Sequence, residues 1–162
     1  MKNILIPTDF NVDALACIQD LCRQHENSRI QLIFIHFFKL SDSITDLLML
    51  SRRNKEYDYV SDEFYAACET LKSKFPQLAA VKVDFFYGST LGMFRNYLEA
   101  HAIDAVLDLK NCSLKPLNKM SVHPEGLIQK CGLDVVRIQP LATQVQQVQR
   151  RYVAEELLQE AV

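Results

Sequence analysis

Glycine is scarce in this chain, and its distribution excludes the common phosphate-binding loops. The 162 residues contain 4 glycines, and none of them lies between Gly92 and Gly126. Glycine-rich loops cradle phosphates because glycine tolerates positive φ and lets backbone N–H groups approach the ligand closely. Neither G-x-x-x-x-G-K-[S/T] nor G-x-G-x-x-G occurs in the sequence. We therefore expect neither a P-loop enzyme nor a dinucleotide-binding domain.

Charge of one sign and long apolar runs are lacking as well. The sum of Lys and Arg is 18 and that of Asp and Glu is 20, so the formal net charge is −2 and the pI is about 6.1. Nucleic-acid-binding domains normally carry a basic face, so we expect no nucleic-acid partner. No apolar run reaches the length of a membrane span, and the first residues do not resemble a secretory signal. The expectation is a cytoplasmic protein without membrane contact.

Paired cysteines and paired histidines are also absent. The 5 cysteines contain no Cys-x-x-Cys pair, which is typical of free thiols in a reducing compartment. The 4 histidines lack the spacing of a metal site, so we expect no metal. Cys112 lies in a loop with nearby lysines, where positive charge would lower the thiol pKa and favour thiolate chemistry.

The pattern that is present predicts an α/β fold. Apolar, β-favouring segments predict strands over 4–6, 30–38, 81–86, 104–109 and 133–138. Helical periodicity follows the first three strands, and Pro124 is expected at the first position of a short fourth helix. Strands that alternate with helices require a doubly wound parallel sheet. We expect one domain over residues 1–140 and an amphipathic helical tail over 141–162.

Several finer predictions concern the helices. An apolar stripe from Tyr57 through Val60 to Leu71 predicts the second long helix, and a short helix is expected near Leu47. On the helix after Gly88, the predicted buried face is Leu91, Phe94, Leu98 and His101 or Ala102.

Four short strings of the chain stand out: Met1-Lys-Asn-Ile-Leu-Ile-Pro-Thr-Asp-Phe10, Ile35-His36-Phe37, Glu99-Ala-His-Ala-Ile-Asp104 and Cys131-Gly-Leu-Asp-Val-Val-Arg137. Together they resemble the universal stress protein family. The resemblance implies a flavodoxin-like, adenine nucleotide alpha hydrolase-like three-layer sandwich with strand order 3-2-1-4-5. It also implies a homodimer formed through the last strand and, in one branch of the family, an ATP site.

The nucleotide-binding branch carries G-x-x-G after the fourth strand, followed nine residues later by Gly and Ser or Thr. In this chain Leu109 and Cys112 occupy the first two glycine positions, and the later pair falls within residues 119–123, which include Ser121. Side chains at 109 and 112 would fill the space of the phosphates. We expect no cofactor, and the pattern disfavours ATP or AMP.

Candidate ligand-binding residues nevertheless gather at one edge, because ligands of parallel α/β sheets bind at the carboxyl ends of strands. Asp9 resembles the family's adenine-contacting aspartate, although it could instead cap the turn before the first helix. His36 is either a site residue or a hydrogen-bonded core histidine. The full candidate set is Pro7, Thr8, Asp9, His36, Phe38, Leu109, Lys110, Cys112 and Ser121.

Three functions follow from these patterns. The leading hypothesis is a non-enzymatic stress-response protein with a degenerate nucleotide site, acting as a homodimeric scaffold or sensor for a protein partner or small ligand. One alternative is an ATP- or AMP-binding protein with slow hydrolysis, in which lysines of the 110–119 loop replace backbone amides. The other is a thiol sensor that uses Cys112.

Overall fold

The structure, a computed structural model, describes residues 1–40 and 56–138. Within these ranges five strands form one parallel sheet of order β3-β2-β1-β4-β5. This order confirms the predicted doubly wound, flavodoxin-like fold. The strands are β1 (Lys2–Pro7), β2 (Ile30–Phe38), β3 (Leu78–Tyr87), β4 (Ala105–Leu107) and β5 (Asp134–Val136).

Within residues 1–40 and 56–138, side-chain caps precede two of the four helices and the first 3-10 turn. The side chains of Asn11, Ser61 and Thr90 each accept a hydrogen bond from a backbone N–H two or three residues later. Such caps satisfy N–H groups that the first helical turn leaves unpaired. The helices are α1 (Ala16–Gln24), preceded by a 3-10 turn (Val12–Leu15), α2 (Asp62–Lys74), α3 (Leu91–Ala100) and α4 (Glu125–Lys130).

The sheet separates two apolar layers. Ile4 and Ile6 of β1 pack into the layer covered by α1 and α2, whereas Leu5 packs into the layer that includes α3 and α4 residues. All nine residues of β2 are buried, as a strand covered on both faces requires. β3 lies at one edge of the sheet, as its mixed pattern predicted.

Several predicted boundaries were wrong. Helix α2 begins only after its cap Ser61, so Tyr57 and Val60 precede it. His101 and Ala102 are exposed rather than buried, because α3 ends at Ala100 and the chain turns at Ala102 with φ 51°. The buried position passes to Ile103 instead.

Three further differences concern the second half of the domain. Pro124 is the N-cap of α4 rather than its first residue. β4 and β5 have three residues each, which is shorter than predicted. The predicted helix near Leu47 and the tail over 141–162 lie outside the described residues. Among the helices of residues 1–40 and 56–138, none has the length and apolar character needed to cross a bilayer.

Candidate functional site

The chain turns sharply where β1 ends. The Thr8 N–H donates to the Ile35 carbonyl oxygen at 2.9 Å, and the Thr8 hydroxyl oxygen accepts from the Phe10 N–H at 3.0 Å. Phe10 adopts φ 61°, a left-handed conformation that costs about 1–2 kcal/mol for a residue with a Cβ. Its ring is only 4% exposed and meets Phe64 edge-on. Burial of this ring offsets the strain and fixes the position of Asp9.

The Asp9 carboxylate is engaged by its own chain. Oδ2 accepts from the Ser113 hydroxyl at 2.7 Å and from the Lys115 N–H at 3.0 Å, while Oδ1 accepts from the Asn11 N–H at 3.0 Å. The side chain is 8% exposed. Burial acts to raise the pKa of Asp9, but these hydrogen bonds outweigh it and hold the pKa below its ordinary value. Asp9 therefore caps the local turn and also anchors residues 113–115.

His36 lies beside Asp9, with both ring nitrogens occupied. Nδ1 is 2.7 Å from the Thr8 carbonyl oxygen, and Nε2 is 2.8 Å from the Ser121 hydroxyl. Because a carbonyl can only accept, Nδ1 carries the proton, and Nε2 accepts from Ser121. Burial lowers the pKa of His36, against the opposing influence of the Thr8 carbonyl and the Asp9 charge. The ring is therefore neutral at pH 7.

Ser121 and His36 have the spacing of a nucleophile and its base, but the hydroxyl is already fully coordinated. Its oxygen accepts from the Leu117 N–H at 2.9 Å and the Asn118 N–H at 3.3 Å, while its proton is donated to His36. Both lone pairs are thus occupied. In this arrangement Ser121 fastens the loop instead of presenting a free nucleophile.

The segment over residues 108–123, called the 108–123 loop below, lies across the carboxyl ends of β1 and β2. In addition to the Asp9 and His36 contacts, the Lys39 N–H donates to the Met120 carbonyl at 2.8 Å and the Val122 N–H donates to the Phe37 carbonyl at 2.9 Å. The loop is therefore hydrogen-bonded along its length to the edge where a ligand of this fold would bind.

The two positions expected to replace glycines do not face an open phosphate site. Leu109 and Cys112 pack against the apolar layers on opposite faces of the sheet. Leu109 begins a 3-10 turn (Leu109–Asn111), and the Asp108 side chain caps this turn by accepting from the Lys110 N–H at 3.0 Å. Burial raises the pKa of Cys112 to about 12, so the expectation that lysines lower this pKa was wrong. The thiol is protonated at pH 7.

The lysine side chains of the 108–123 loop are exposed to solvent. The side chains of Lys110, Lys115 and Lys119 are exposed, and only the backbone of Lys115 contacts Asp9. The structure thus brings Pro7, Thr8, Asp9, His36, Phe38 and Ser121 together, whereas Leu109, Lys110 and Cys112 flank them. Sequence reasoning missed Ser113 because a serine in a polar loop carries no distinctive signal.

A small cavity remains beneath the loop. It has a volume of about 180 Å³ and is walled by Phe37, Leu114, Pro116 and Val122, with His36, Ser121 and His123 at its polar side. Ligand pockets usually measure about 300–1,000 Å³. The cavity is therefore too small for a whole nucleotide. No group of three His, Cys, Asp or Glu side chains suited to a metal ion occurs in residues 1–40 and 56–138.

Comparisons with known proteins find similarity among solved structures only. No protein-family model and no curated protein matches the sequence. UspA from Lactobacillus plantarum has a TM-score of 0.49 and 14% identity, over 85% of this chain and 97% of that one. The chain is similar to the universal stress proteins.

Two other universal stress protein structures contain nucleotides. An Arabidopsis thaliana member with AMP bound has a TM-score of 0.47 and 10% identity, over 89% of this chain and 95% of that chain. A member in complex with cAMP has a TM-score of 0.44 and 13% identity, over 85% and 97%. At these values the likeness to universal stress proteins concerns the arrangement of elements, and the ligand must be inferred from the contacts of this chain.

Proposed function

We propose that this chain is a non-enzymatic regulatory protein of the stress-response type, whose nucleotide site is degenerate and closed by the 108–123 loop. The observation that carries this proposal is the engagement of both Asp9 carboxylate oxygens by Ser113, Lys115 and Asn11. A base that bound Asp9 would have to displace the contacts from Ser113 and Lys115. Each buried donor left unpaired costs about 1–3 kcal/mol.

The absence of catalysis is supported by the coordination of Ser121. Its oxygen holds two N–H donors and gives its own proton to His36, so nucleophilic attack would require the loop to rearrange. We expect no labelling of Ser121 by an alkyl fluorophosphonate, a probe of activated serines. Mass-spectrometric detection of an adduct on Ser121 in the folded protein would contradict the proposal.

Equilibrium binding of nucleotides tests the closed site directly. Isothermal titration of the full chain with ATP, ADP, AMP and cAMP should show no saturable binding with a Kd below about 1 mM, which corresponds to about 4 kcal/mol. Tighter binding that is lost in Asp9→Asn but retained in Asp13→Asn, a nearby surface control, would overturn the degenerate site.

A second candidate function, weak anion or nucleotide binding, is favoured by the three exposed lysines of the loop. In that case Lys110→Ala or Lys115→Ala would weaken ATP binding, and binding would fall steeply with salt. Lys130→Ala, outside the loop, is the matched control for loss of one positive charge. Equal effects of all three substitutions would remove this candidate.

We also propose that the protein acts as a homodimer through β5. This strand lies at the sheet edge, and Val135 on it is 48% exposed. Among residues 1–40 and 56–138 no further strand pairs with this edge, and such an edge with an exposed apolar side chain favours association. Sedimentation should show a dimer that Val135→Glu dissociates, whereas Met93→Glu, an exposed apolar position on α3, should leave it intact. A concentration-independent monomer would contradict the dimer.

A further inference from the structure

A second polar cluster lies in a groove between the edge strand β3 and helix α3. The groove has a volume of about 420 Å³, which is within the usual range for small-molecule sites. The aromatic rings of Phe86 and Tyr97, which meet edge-on, form part of its wall, and its polar side chains include Asp84 and His101. None of these residues contributes to the contacts that close the 108–123 loop over Asp9.

Asp84 is the charged centre of this groove, and both of its hydrogen-bond donors are neutral. Its Oδ2 accepts from the Tyr97 hydroxyl at 2.7 Å, and its Oδ1 accepts from the Phe85 N–H at 2.8 Å. The ion pairs among residues 1–40 and 56–138 are Arg23–Asp20, Lys72–Glu69 and Arg137–Asp108, and none involves Asp84. A carboxylate has about four acceptor sites, so this half-buried group can accept further donors from the groove.

The surroundings hold Tyr97 in place. Its ring meets Phe86 edge-on, with centroids 5.7 Å apart, and lies against His101 with centroids 4.1 Å apart. Burial, together with the hydrogen bond to Asp84, strongly raises the pKa of Tyr97. The Tyr97 hydroxyl therefore keeps its proton and donates a hydrogen bond to Asp84. The groove thus contains a carboxylate that is already held in place beside aromatic rings.

Lys82 is the nearest internal competitor along the strand. It lies two residues before Asp84, so both side chains are on the same face of β3. Lys82 is exposed and forms no ion pair with Asp84 within the part of the chain described by the structure. The aromatic groove thus carries a negative charge that the neighbouring lysine does not neutralise through contact.

We propose that the groove between β3 and α3 binds a small organic cation through its primary ammonium group. Asp84 accepts hydrogen bonds from the ammonium, and the rings of Tyr97 and His101 contact the adjacent alkyl chain. Aromatic faces attract cations and contribute most where water is partly excluded. This site is separate from the proposed function and does not depend on it.

A pair of matched probes tests the inference on the unaltered protein. n-Butylammonium and n-butanol are similar in size and differ in charge. At about pH 8, where an alkylammonium is charged, NMR titration of the full chain should shift the Tyr97 and His101 ring signals. The ammonium should bind at least about fivefold more tightly than the alcohol, a difference of about 1 kcal/mol.

Substitutions then locate the charge. Asp84→Asn should reduce the ammonium affinity to that of the alcohol, whereas Asp134→Asn, which removes an exposed carboxylate from the opposite edge strand, should not change it. Lys82→Ala should leave binding unchanged or tighten it. Circular dichroism confirms that each variant is folded.

Three outcomes would overturn the proposal. The first is equal affinity for n-butylammonium and n-butanol. The second is that n-butylammonium shifts the Tyr97 and His101 ring signals of Asp84→Asn as much as those of the unaltered protein. The third is that neither ring signal shows a saturable shift at tens of millimolar n-butylammonium. The comparison of the two probes requires no variant, so it remains decisive even if Asp84→Asn does not fold. A failure here leaves the closed 108–123 loop unaffected, because that proposal is tested with nucleotides.

Discussion

Asp9 follows one strand of the sheet and Asp84 lies on another, and their carboxylates have different surroundings. Asp9 follows the central strand β1, is 8% exposed and receives three hydrogen bonds, two of them from the 108–123 loop. Asp84 lies on the edge strand β3 and receives two, while an open groove remains beside it. Thus the segment that packs over a carboxylate, rather than its place at a strand end, decides whether a ligand can reach it.

The largest expected difference is in stability. Asp9→Ala leaves partly buried donors on Ser113, Lys115 and Asn11 without their acceptor, so we expect a loss of about 3 kcal/mol in the free energy of unfolding. Asp84→Ala should cost about 1 kcal/mol, because water in the groove can replace the lost acceptor. Urea unfolding of both variants measures the two values. Equal losses would show that the two carboxylates are equivalent and would remove the distinction.

The next effect concerns the second attachment of the loop. Ser121→Ala deprives His36 of its donor and two backbone N–H groups of their acceptor, so we expect a loss of about 1–2 kcal/mol. Ser89→Ala, at an exposed position that forms no hydrogen bond within residues 1–40 and 56–138, should change stability by less than about 0.5 kcal/mol. If the two serine variants unfold at the same urea concentration, Ser121 does not fasten the loop.

Acidification should weaken the closed edge in two stages. The folded pKa of His36 lies below its ordinary 6.5, so the unfolded chain binds more protons and stability falls as the pH drops below about 6.5. The folded pKa of Asp9 lies below its ordinary 3.8. The stability that the Asp9 carboxylate contributes is therefore fully present above about pH 3.8 and is lost as the pH falls through the folded pKa. For each pH unit by which a folded pKa lies below the unfolded one, the free energy of unfolding changes by about 1.4 kcal/mol across that pH range.

Unfolding midpoints measured from about pH 7 to about pH 2 separate the two groups, because the His36 decline begins near neutral pH and the Asp9 decline falls at the acid end. His36→Gln cannot titrate, so it should remove the first decline while leaving the acid-side decline that Asp9 causes. A wild-type decline between pH 7 and pH 5 that persists unchanged in His36→Gln would assign it to other groups.

The smallest effect belongs to the groove. Tyr97→Phe keeps the ring and removes the hydroxyl that donates to Asp84, so we expect a loss of about 0.5–1 kcal/mol. Because Asp84 would lose one positioning donor, n-butylammonium should also bind more weakly. Tyr59→Phe, at an exposed position, serves as the control. An unchanged ammonium affinity in Tyr97→Phe would show that the hydroxyl does not position the carboxylate.

Much of the architecture could be predicted because it depends on local patterns. The apolar run over 30–38 predicted β2 with its observed bounds, and the mixed pattern around Val83 indicated an edge strand. The end of α3 could not be predicted, because His101 and Ala102 continue the helical spacing. The left-handed turn at Ala102 directs them outward instead.

The site was predicted less completely than the fold. Asp9, His36 and Ser121 were correctly expected near one sheet edge, since parallel strands end together there. The role of Ser113 and the raised pKa of Cys112 could not be predicted. Ser113 reaches Asp9, and Cys112 is buried near Cys17, only because segments about 100 positions apart in the sequence meet in the folded chain. Local composition does not encode these contacts.

The sequence by itself determined the alternation of strands and helices, the edge at which polar residues gather and the absence of a glycine-rich phosphate loop. Only the tertiary structure decided that the 108–123 loop closes over Asp9 and His36 while a groove stays open beside Asp84. The reason is physical: hydrophobic periodicity is local, whereas burial and hydrogen-bond saturation depend on segments that meet only in the folded chain.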